Sequence, residues 1–224
     1  MNALARTGDW MRGLSGWRRL LLAFAAGAIS ATGFAPLEFF PALLVGYAVL
    51  VLLLDGADAG ARPVRRGAAA GWAFFFGQFL AGLHWIAYPF LIYPDSNLWQ
   101  LPFALFLPAG LALFGGLACA AAIYFWQDGP GRILIFAVML AVSEWLRGHI
   151  FTGFPWNLSA YGWGASLAVL QSASLVGAYG LSLLTIALGA SLAERAVRRW
   201  QLPAAMILLF AVLWGFGAAR LSAA

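Results

Sequence analysis

The chain has 224 residues, of which 63% are hydrophobic and only 9% are charged, whereas a soluble domain carries about 25% charged residues. So few polar side chains cannot cover a globular surface, which excludes a soluble fold and predicts an integral membrane protein. The formal net charge of +5 does not indicate a nucleic-acid partner, because the arginines lie at the ends of apolar runs and not along one solvated face.

The placement of the basic residues predicts the topology. All thirteen are arginine, and eleven of them form four groups separated by long apolar stretches. The groups are Arg6, Arg12, Arg18 and Arg19; Arg62, Arg65 and Arg66; Arg132; and Arg195, Arg198 and Arg199. Because cytoplasmic loops of membrane proteins are rich in Lys and Arg, we expect all four groups and the N-terminus on the cytoplasmic side. There the arginines would meet anionic lipid headgroups.

The apolar runs predict an all-α protein with seven transmembrane helices and a periplasmic C-terminus. In chain order they cover roughly 20–34, 39–54, 67–88, 98–126, 133–150, 165–193 and 202–218. The first run follows two arginines, as in a signal peptide, but more spans follow at once, so we interpret it as an uncleaved helix. The expected organisation is a cytoplasmic arm at 1–19, a seven-helix domain at 20–219, and the truncated start of a periplasmic segment at 220–224.

Small residues indicate close helix packing within this domain. Gly67 and Gly71 have the four-residue spacing that lets two membrane helices approach each other. Cys119 is the single cysteine, so no disulfide forms within the chain. It lies among small and apolar residues, where a thiol ionises poorly and is a weak nucleophile. We therefore predict that Cys119 is a packing residue.

No motif for a metal or a cofactor is present. His84 and His149 lie far apart in sequence and have no Cys, Asp or Glu near them at ligand spacing. The chain contains neither a glycine-rich phosphate loop nor a GxSxG sequence. We expect no metal site and no cofactor.

Two charges lie inside the fifth predicted span. Glu144 and Arg147 are three residues apart, which places them on one helix face and lets them pair. Charges within a membrane are costly and often mark functional sites. Two interpretations stay open, a structural ion pair that fixes helix packing and a functional pair.

Aromatic residues mark the predicted outer loop at 151–164. Phe154 and Trp156 flank a proline there, and amphipathic rings such as those of Trp156 and Trp163 concentrate at membrane interfaces. Alternatively, the loop grips a lipid chain or a lipidated substrate at the outer leaflet. Trp85 and His84, near the outer end of the third span, would face the same place. The other interpretation of His84 is a hydrogen-bonded packing residue.

Several of these segments together resemble the membrane domain of bacterial apolipoprotein N-acyltransferases. The runs EWLRG at 144–148 and TGFPW at 152–156 carry most of the resemblance. The run TGFAP at 32–36 with the aromatic-proline step at 40–41 is similar to the first hairpin of that family, and GLHW at 82–85 to its third helix. Order and spacing agree over nearly the whole chain.

The resemblance implies a multi-pass protein of the bacterial inner membrane. Members of the family take an acyl chain from a phospholipid, through a thioester on a cysteine, and transfer it to the α-amino group of a diacylglyceryl-cysteine lipoprotein. The expected partners are therefore the membrane, a phospholipid acyl donor and a diacylglyceryl lipoprotein. A nitrilase-like periplasmic domain after the seventh helix supplies a Glu, Lys and Cys triad in this family.

The chain departs from the family pattern in its chemistry. It contains no lysine, and its single cysteine, Cys119, lies in the middle of a span. No catalytic residue is therefore expected in this chain, and we expect it to be inactive alone. It would be the membrane half of a truncated enzyme or of a split enzyme with a separate nitrilase-like chain.

Within that half, six residues are candidates for binding lipid substrates: Trp156, Arg147, Glu144, Phe154, Trp85 and His84. The competing interpretations are a small multi-helix transporter and a non-catalytic lipid-binding scaffold. A transporter needs polar residues at mid-depth in several helices, and Gln78, Glu144 and Arg147 are the few available.

Overall fold

The computed structural model describes residues 3–92 and 94–223, and this part of the chain contains helices and loops but no strand. Its eight helices of eleven residues or more are α1 Ala3–Gly13, α2 Gly16–Ser30, α3 Phe40–Asp58, α4 Pro63–Gly82, α5 Phe103–Tyr124, α6 Gly131–His149, α7 Ala173–Ser191 and α8 Gln201–Ser222. Shorter helical turns cover Ala31–Gly33, His84–Ala87, Tyr88–Ile92, Pro94–Asn97, Leu98–Gln100, Ser159–Trp163, Leu167–Leu170 and Leu192–Val197. Helices suit this composition because lipid offers no hydrogen-bond partner to the backbone.

Helices α2 to α8 run alternately between two ends of the bundle. At one end, Arg132 at the start of α6 contacts Asp55 near the end of α3 and Glu194 just after α7. We call this the basic end, because the four arginine groups and α1 lie there. The opposite end holds the segment 151–164, and we call it the loop end. The arginine pattern thus correctly predicted which helix ends lie together.

Within the described residues, five helices, counting one bent pair, have the length and apolar composition to cross a membrane. Four are Phe40–Asp58, Leu98–Tyr124, Ala173–Val197 and Gln201–Ser222, and the fifth is α4 with His84–Ile92, bent by 60°. The third predicted span at 67–88 is therefore broken after Gly82. The structure confirms an all-helical protein with membrane-capable helices, and the count of seven spans stays a prediction. The three remaining long helices are α1, with 11 residues, α2, with 15 residues, and α6, which carries three charges.

Glycines bring α4 and α5 into close contact, as their spacing predicted. A Cβ added at Gly71 would lie 2.6 Å from Cys119 Sγ, and one added at Gly67 would lie 2.6 Å from Ile123 Cγ1. Cys119 is completely buried at this contact. The cysteine therefore fills the space that Gly71 leaves open, in agreement with the predicted packing role.

Two arginines of the basic groups are buried, so the prediction that all four groups meet lipid headgroups is wrong for them. Arg19 donates hydrogen bonds to the carbonyls of Leu14, at 2.6 and 3.0 Å, and of Gly56, at 2.8 Å. Arg132 contacts Asp55 and Glu194. A guanidinium removed from water needs such partners, because its desolvation is costly unless charge and hydrogen bonds compensate for it.

The predicted outer loop at 151–164 lies only partly outside. Its second half returns into the bundle, where Trp163 stacks on Phe40 and Phe210 at centroid distances of 4.6 and 4.9 Å. The indole of Trp163 donates to Thr185 Oγ1 at 2.9 Å. Trp163 is therefore a core residue and not an interfacial one.

Candidate functional site

Arg147 fixes the first half of the loop. It lies in the last turn of α6 and is 4% exposed. Its Nη1 donates to the carbonyls of Phe154 and Trp156, both at 2.6 Å, and its guanidinium carbon lies 5.0 Å from the centroid of the Phe79 ring. The Phe154 amide also donates to the Arg147 carbonyl at 2.8 Å. One side chain thus determines the path of the backbone that carries Trp156.

Glu144 fixes the second half of the loop. Its Oε1 accepts hydrogen bonds from the amide of Ser159 at 3.0 Å and from the Ser159 hydroxyl at 2.6 Å. The same hydroxyl also hydrogen-bonds the Tyr47 phenol, and all three side chains are buried. A polar chain therefore links α6, the returning loop and α3.

Glu144 and Arg147 share a face of α6, as predicted, but they do not form the predicted ion pair. Among the ion pairs shorter than 4.0 Å in the described residues, none joins these two side chains. Each satisfies backbone groups of a different part of the loop. An unpaired amide or carbonyl in an apolar surrounding costs several kcal/mol, and this favours loop contacts over a direct pair.

The loop presents an aromatic cluster at the surface of the loop end. The Trp85 and Trp156 rings lie 5.6 Å apart between centroids, and Phe154 lies 6.3 Å from Trp156. Trp85 is 43% exposed and Trp156 is 52% exposed. The prediction that Trp85 faces the same place as the loop agrees with this geometry.

His84 lies beside the cluster but outside it. Its Nδ1 is 2.7 Å from the Ala81 carbonyl, and its ring contacts Tyr88 at 5.7 Å between centroids. The hydrogen bond was predicted, but the side chain is exposed and not packed inside. Of the six predicted site residues, five therefore belong to one structural unit, and His84 is its neighbour.

An apolar groove of about 880 Å³ runs next to the loop. Its lining includes residues after α4, on α5 and at the start of the loop: Ile86, Phe90, Phe103, Phe106, Ile150 and Phe151. Phe151 is 94% exposed and has a positive φ of 57°, a conformation that is uncommon for a bulky residue. The backbone there directs a large apolar ring to the rim of the groove.

A second cavity lies behind the loop and is very small. It offers about 10 Å³ to a water-sized molecule, between Gln78, Ser143, Glu144, Arg147 and Asn157. This is room for about one water. The Asn157 Nδ2 is buried and has no hydrogen-bond partner in the described structure.

Four residues of this unit were not predicted from the sequence, namely Ser159, Tyr47, Phe79 and Asn157. Each is a common residue in an apolar segment, and only its distant partner gives it a role. Within the described ranges, no three His, Cys, Asp or Glu side chains converge to hold a metal ion. The arrangement offers aromatic and apolar surface, which suits binding of lipid chains.

Comparison with known proteins agrees with the family resemblance seen in the sequence. The family model for the apolipoprotein N-acyltransferase N-terminal domain matches residues 26–191. A protein of Rhodopseudomonas palustris is 44% identical over 214 residues, which are 92% of this chain and 40% of the relative. One of Allorhizobium ampelinum is 43% identical over 217 residues, 93% of this chain and 41% of the relative. Both are named apolipoprotein N-acyltransferase, and this chain spans about two fifths of their length.

Proposed function

Because this chain belongs to the apolipoprotein N-acyltransferase family, through the N-terminal domain of that family, we propose that it holds the lipid substrates of such an enzyme. The proposed reaction transfers a phospholipid acyl chain to the N-terminal diacylglyceryl-cysteine of a lipoprotein. The observation that carries the proposal is the loop anchored by Arg147 and Glu144, which places Trp156 against Trp85 beside the apolar groove.

The proposed setting is the bacterial inner membrane, with seven spans, the basic end in the cytoplasm and the loop end in the periplasm. The alternating direction of α2 to α8 supports it, together with the concentration of arginine at one end. Helix α2, with 15 residues, is about 22 Å long. Local thinning of the bilayer would accommodate so short a helix. The charges of α6 are accommodated because the loop satisfies Arg147 and Glu144, while Asp55 and Glu194 pair with Arg132.

In the proposed binding mode, the groove takes an acyl chain and the two tryptophans lie at the level of the lipid headgroup. Tryptophan suits that level because its ring is apolar and its N–H is polar. Arg147 acts as a positioning residue, since its Nη1 already donates to two loop carbonyls. Glu144 has the corresponding role for Ser159.

The transporter interpretation finds less support. Gln78 donates to Ser30 Oγ at 3.0 Å, and Glu144 and Arg147 are hydrogen-bonded to the loop. The cavity between these polar groups has room for about one water. A non-catalytic lipid-binding scaffold would use the same lipid site, and acyl transfer by the chimera described below distinguishes it from the membrane domain of an enzyme.

We predict that the 224-residue chain alone does not transfer an acyl group. Acyl transfer through a thioester requires an activated thiolate, and the single cysteine of the chain is buried between α4 and α5. The measurement is acyl transfer from phospholipid to a diacylglyceryl peptide by the purified chain. A chimera with the remaining sequence of the Rhodopseudomonas palustris relative is the positive control, and a separately added nitrilase-like chain tests a split enzyme. Robust transfer by the chain alone would contradict the prediction.

Substituting Trp156→Ala is expected to lower transfer by the chimera about tenfold without reducing the amount of protein in the membrane. The ring is half exposed, so its loss removes substrate contact area, worth on the order of 1–2 kcal/mol, and little of the core. Trp214→Ala is the matched control, because Trp214 is 55% exposed on α8 and is not one of the ring partners of Trp156 in the described structure. Equal loss of activity in both variants, or a parallel fall in protein level, would assign Trp156 a structural role.

A further inference from the structure

A polar cavity of about 540 Å³ lies at the basic end, opposite the candidate lipid site. This volume is within the range of about 300–1,000 Å³ typical of ligand sites. Its walls come from α1, the end of α3, the connection between α5 and α6, and the residues after α7. The charged side chains that line it are Arg12, Asp55, Asp58, Asp128, Arg132 and Arg199.

The inner wall of the cavity is satisfied by its own contacts. Arg132 contacts Asp55 at 2.8 Å and also Glu194, and its Nη1 donates to the Gly129 carbonyl at 2.6 Å. Trp126 donates its indole N–H to Asp55 at 3.3 Å. These groups hold the walls together and have little capacity left for a ligand.

The rim of the cavity, in contrast, has unused capacity of both signs. Asp58 and Asp128 are exposed and take part in no ion pair within the described residues, and they lie close enough to repel each other. Arg12 pairs with Asp9 at 3.1 Å through Nη1 and with Asp55 at 3.4 Å through Nε, and only its Nη2 is left without a hydrogen-bond partner in the same part of the chain. Arg199 is half exposed and reaches Glu194 only at 3.7 Å.

This arrangement selects a class of ligand. A metal ion does not fit, because no three carboxylates or other ligand side chains converge in the described structure. A simple anion would meet the unpaired carboxylates of Asp58 and Asp128. A group with a phosphate and an ammonium satisfies both sets of charges.

The surroundings place the cavity at the level of lipid headgroups. Trp126 lines it, and exposed aromatic rings follow at the end of α5 and before α8: Tyr124, Phe125 and Trp200. Tryptophan and tyrosine concentrate at membrane–water interfaces. A lipid could therefore place its headgroup in the cavity while its acyl chains stay in the bilayer.

We propose that this cavity binds the headgroup of a zwitterionic phospholipid, with its phosphate at Arg12 and Arg199 and its ammonium between Asp58 and Asp128. The bound lipid would tie α1 and the end of α3 to the residues after α7. This site is separate from the loop end and does not depend on the function proposed above. It requires only that the basic end lies at a membrane surface.

The test measures lipid binding to the delipidated, purified chain by native mass spectrometry, with phosphatidylethanolamine and phosphatidylglycerol added separately. We expect a preference of about tenfold for phosphatidylethanolamine. The double substitution Asp58→Asn and Asp128→Asn should remove the preference, and Arg199→Gln should weaken binding of both lipids. All three positions are exposed, so the buried contacts of Arg132 remain. Asp95→Asn and Arg6→Gln are matched controls, because both side chains are exposed outside the cavity.

Two results would overturn the proposal. The first is equal binding of the two lipids by the unaltered chain, a comparison that needs no variant. The second is saturable binding of water-soluble glycerophosphoethanolamine with no preference among lipids, since the ligand would then be a soluble phosphate compound and not a membrane lipid. Loss of the preference in the double variant, with both controls unchanged, would support the site.

Discussion

Substituting Arg147→Met is expected to reduce acyl transfer by the chimera at least about a hundredfold and to release the loop. The change leaves the carbonyls of Phe154 and Trp156 without their donor, and each unsatisfied group costs about 1–3 kcal/mol. A tenfold change in rate corresponds to about 1.4 kcal/mol. The cost of two unsatisfied carbonyls is therefore large enough to displace Trp156 and to lower the rate about a hundredfold. The direct measurement of the loop is amide hydrogen exchange across 151–160, which should become faster.

Two control variants separate positioning from substrate contact. Arg220→Met removes an exposed guanidinium from the same end of the bundle, where it donates only to Ser174 Oγ at 3.3 Å, and it should change neither activity nor exchange. Arg147→Lys keeps the positive charge but loses the planar guanidinium with its fixed N–H directions. Its loop amides should therefore be better protected from exchange than those of Arg147→Met. A loss of activity in Arg147→Met with unchanged amide exchange would show that Arg147 contacts substrate and does not position the loop.

Substituting Arg132→Met is expected to destabilise the whole bundle. Arg132 is the common partner of Asp55 and Glu194, and Glu194 is completely buried. Removal of one member of a buried charge cluster costs about 3–5 kcal/mol. Native proteins are stable by only about 5–15 kcal/mol. Thermal unfolding of the purified chain in detergent, followed by tryptophan fluorescence, should therefore show a Tm lowered by roughly 10 °C.

A compensated variant tests the cause of that loss. In the triple variant Arg132→Met, Asp55→Asn and Glu194→Gln, the two carboxylates that pair with Arg132 are neutralised as well, so part of the Tm should return. Arg66→Met is the matched control, since Arg66 is exposed at the same end. A Tm as low in the triple variant as in the single one would show that the loss of stability comes from the changed volume and packing at position 132 and not from the unpaired charges.

Much of the helical framework was predictable from the sequence. Apolar runs indicate which segments must satisfy their own backbone hydrogen bonds in lipid, and the arginines mark the ends that stay together. The Gly67 and Gly71 spacing likewise predicted a close helix contact, because in a membrane helix small residues determine how closely a neighbour approaches; the structure identified α5 as the partner. These features are local, so one stretch of chain is enough to identify them.

The partners of the buried polar groups depended on the tertiary structure. Glu144 and Arg147 are three residues apart, and helix geometry alone permits them to pair, yet each binds a loop that returns to α6. Tryptophan is typical of membrane interfaces, but the returning segment buries Trp163 against Phe40 and Phe210.

By itself, then, the sequence determined the class of fold, the helix ends that lie together, the family and the aromatic loop. The tertiary structure decided which charges are buried and what each of them holds, as at Arg132 with Asp55 and Glu194. The physical reason is the cost of desolvation. A charge inside a bundle must find partners wherever the fold brings polar atoms, and distant parts of the chain supply them.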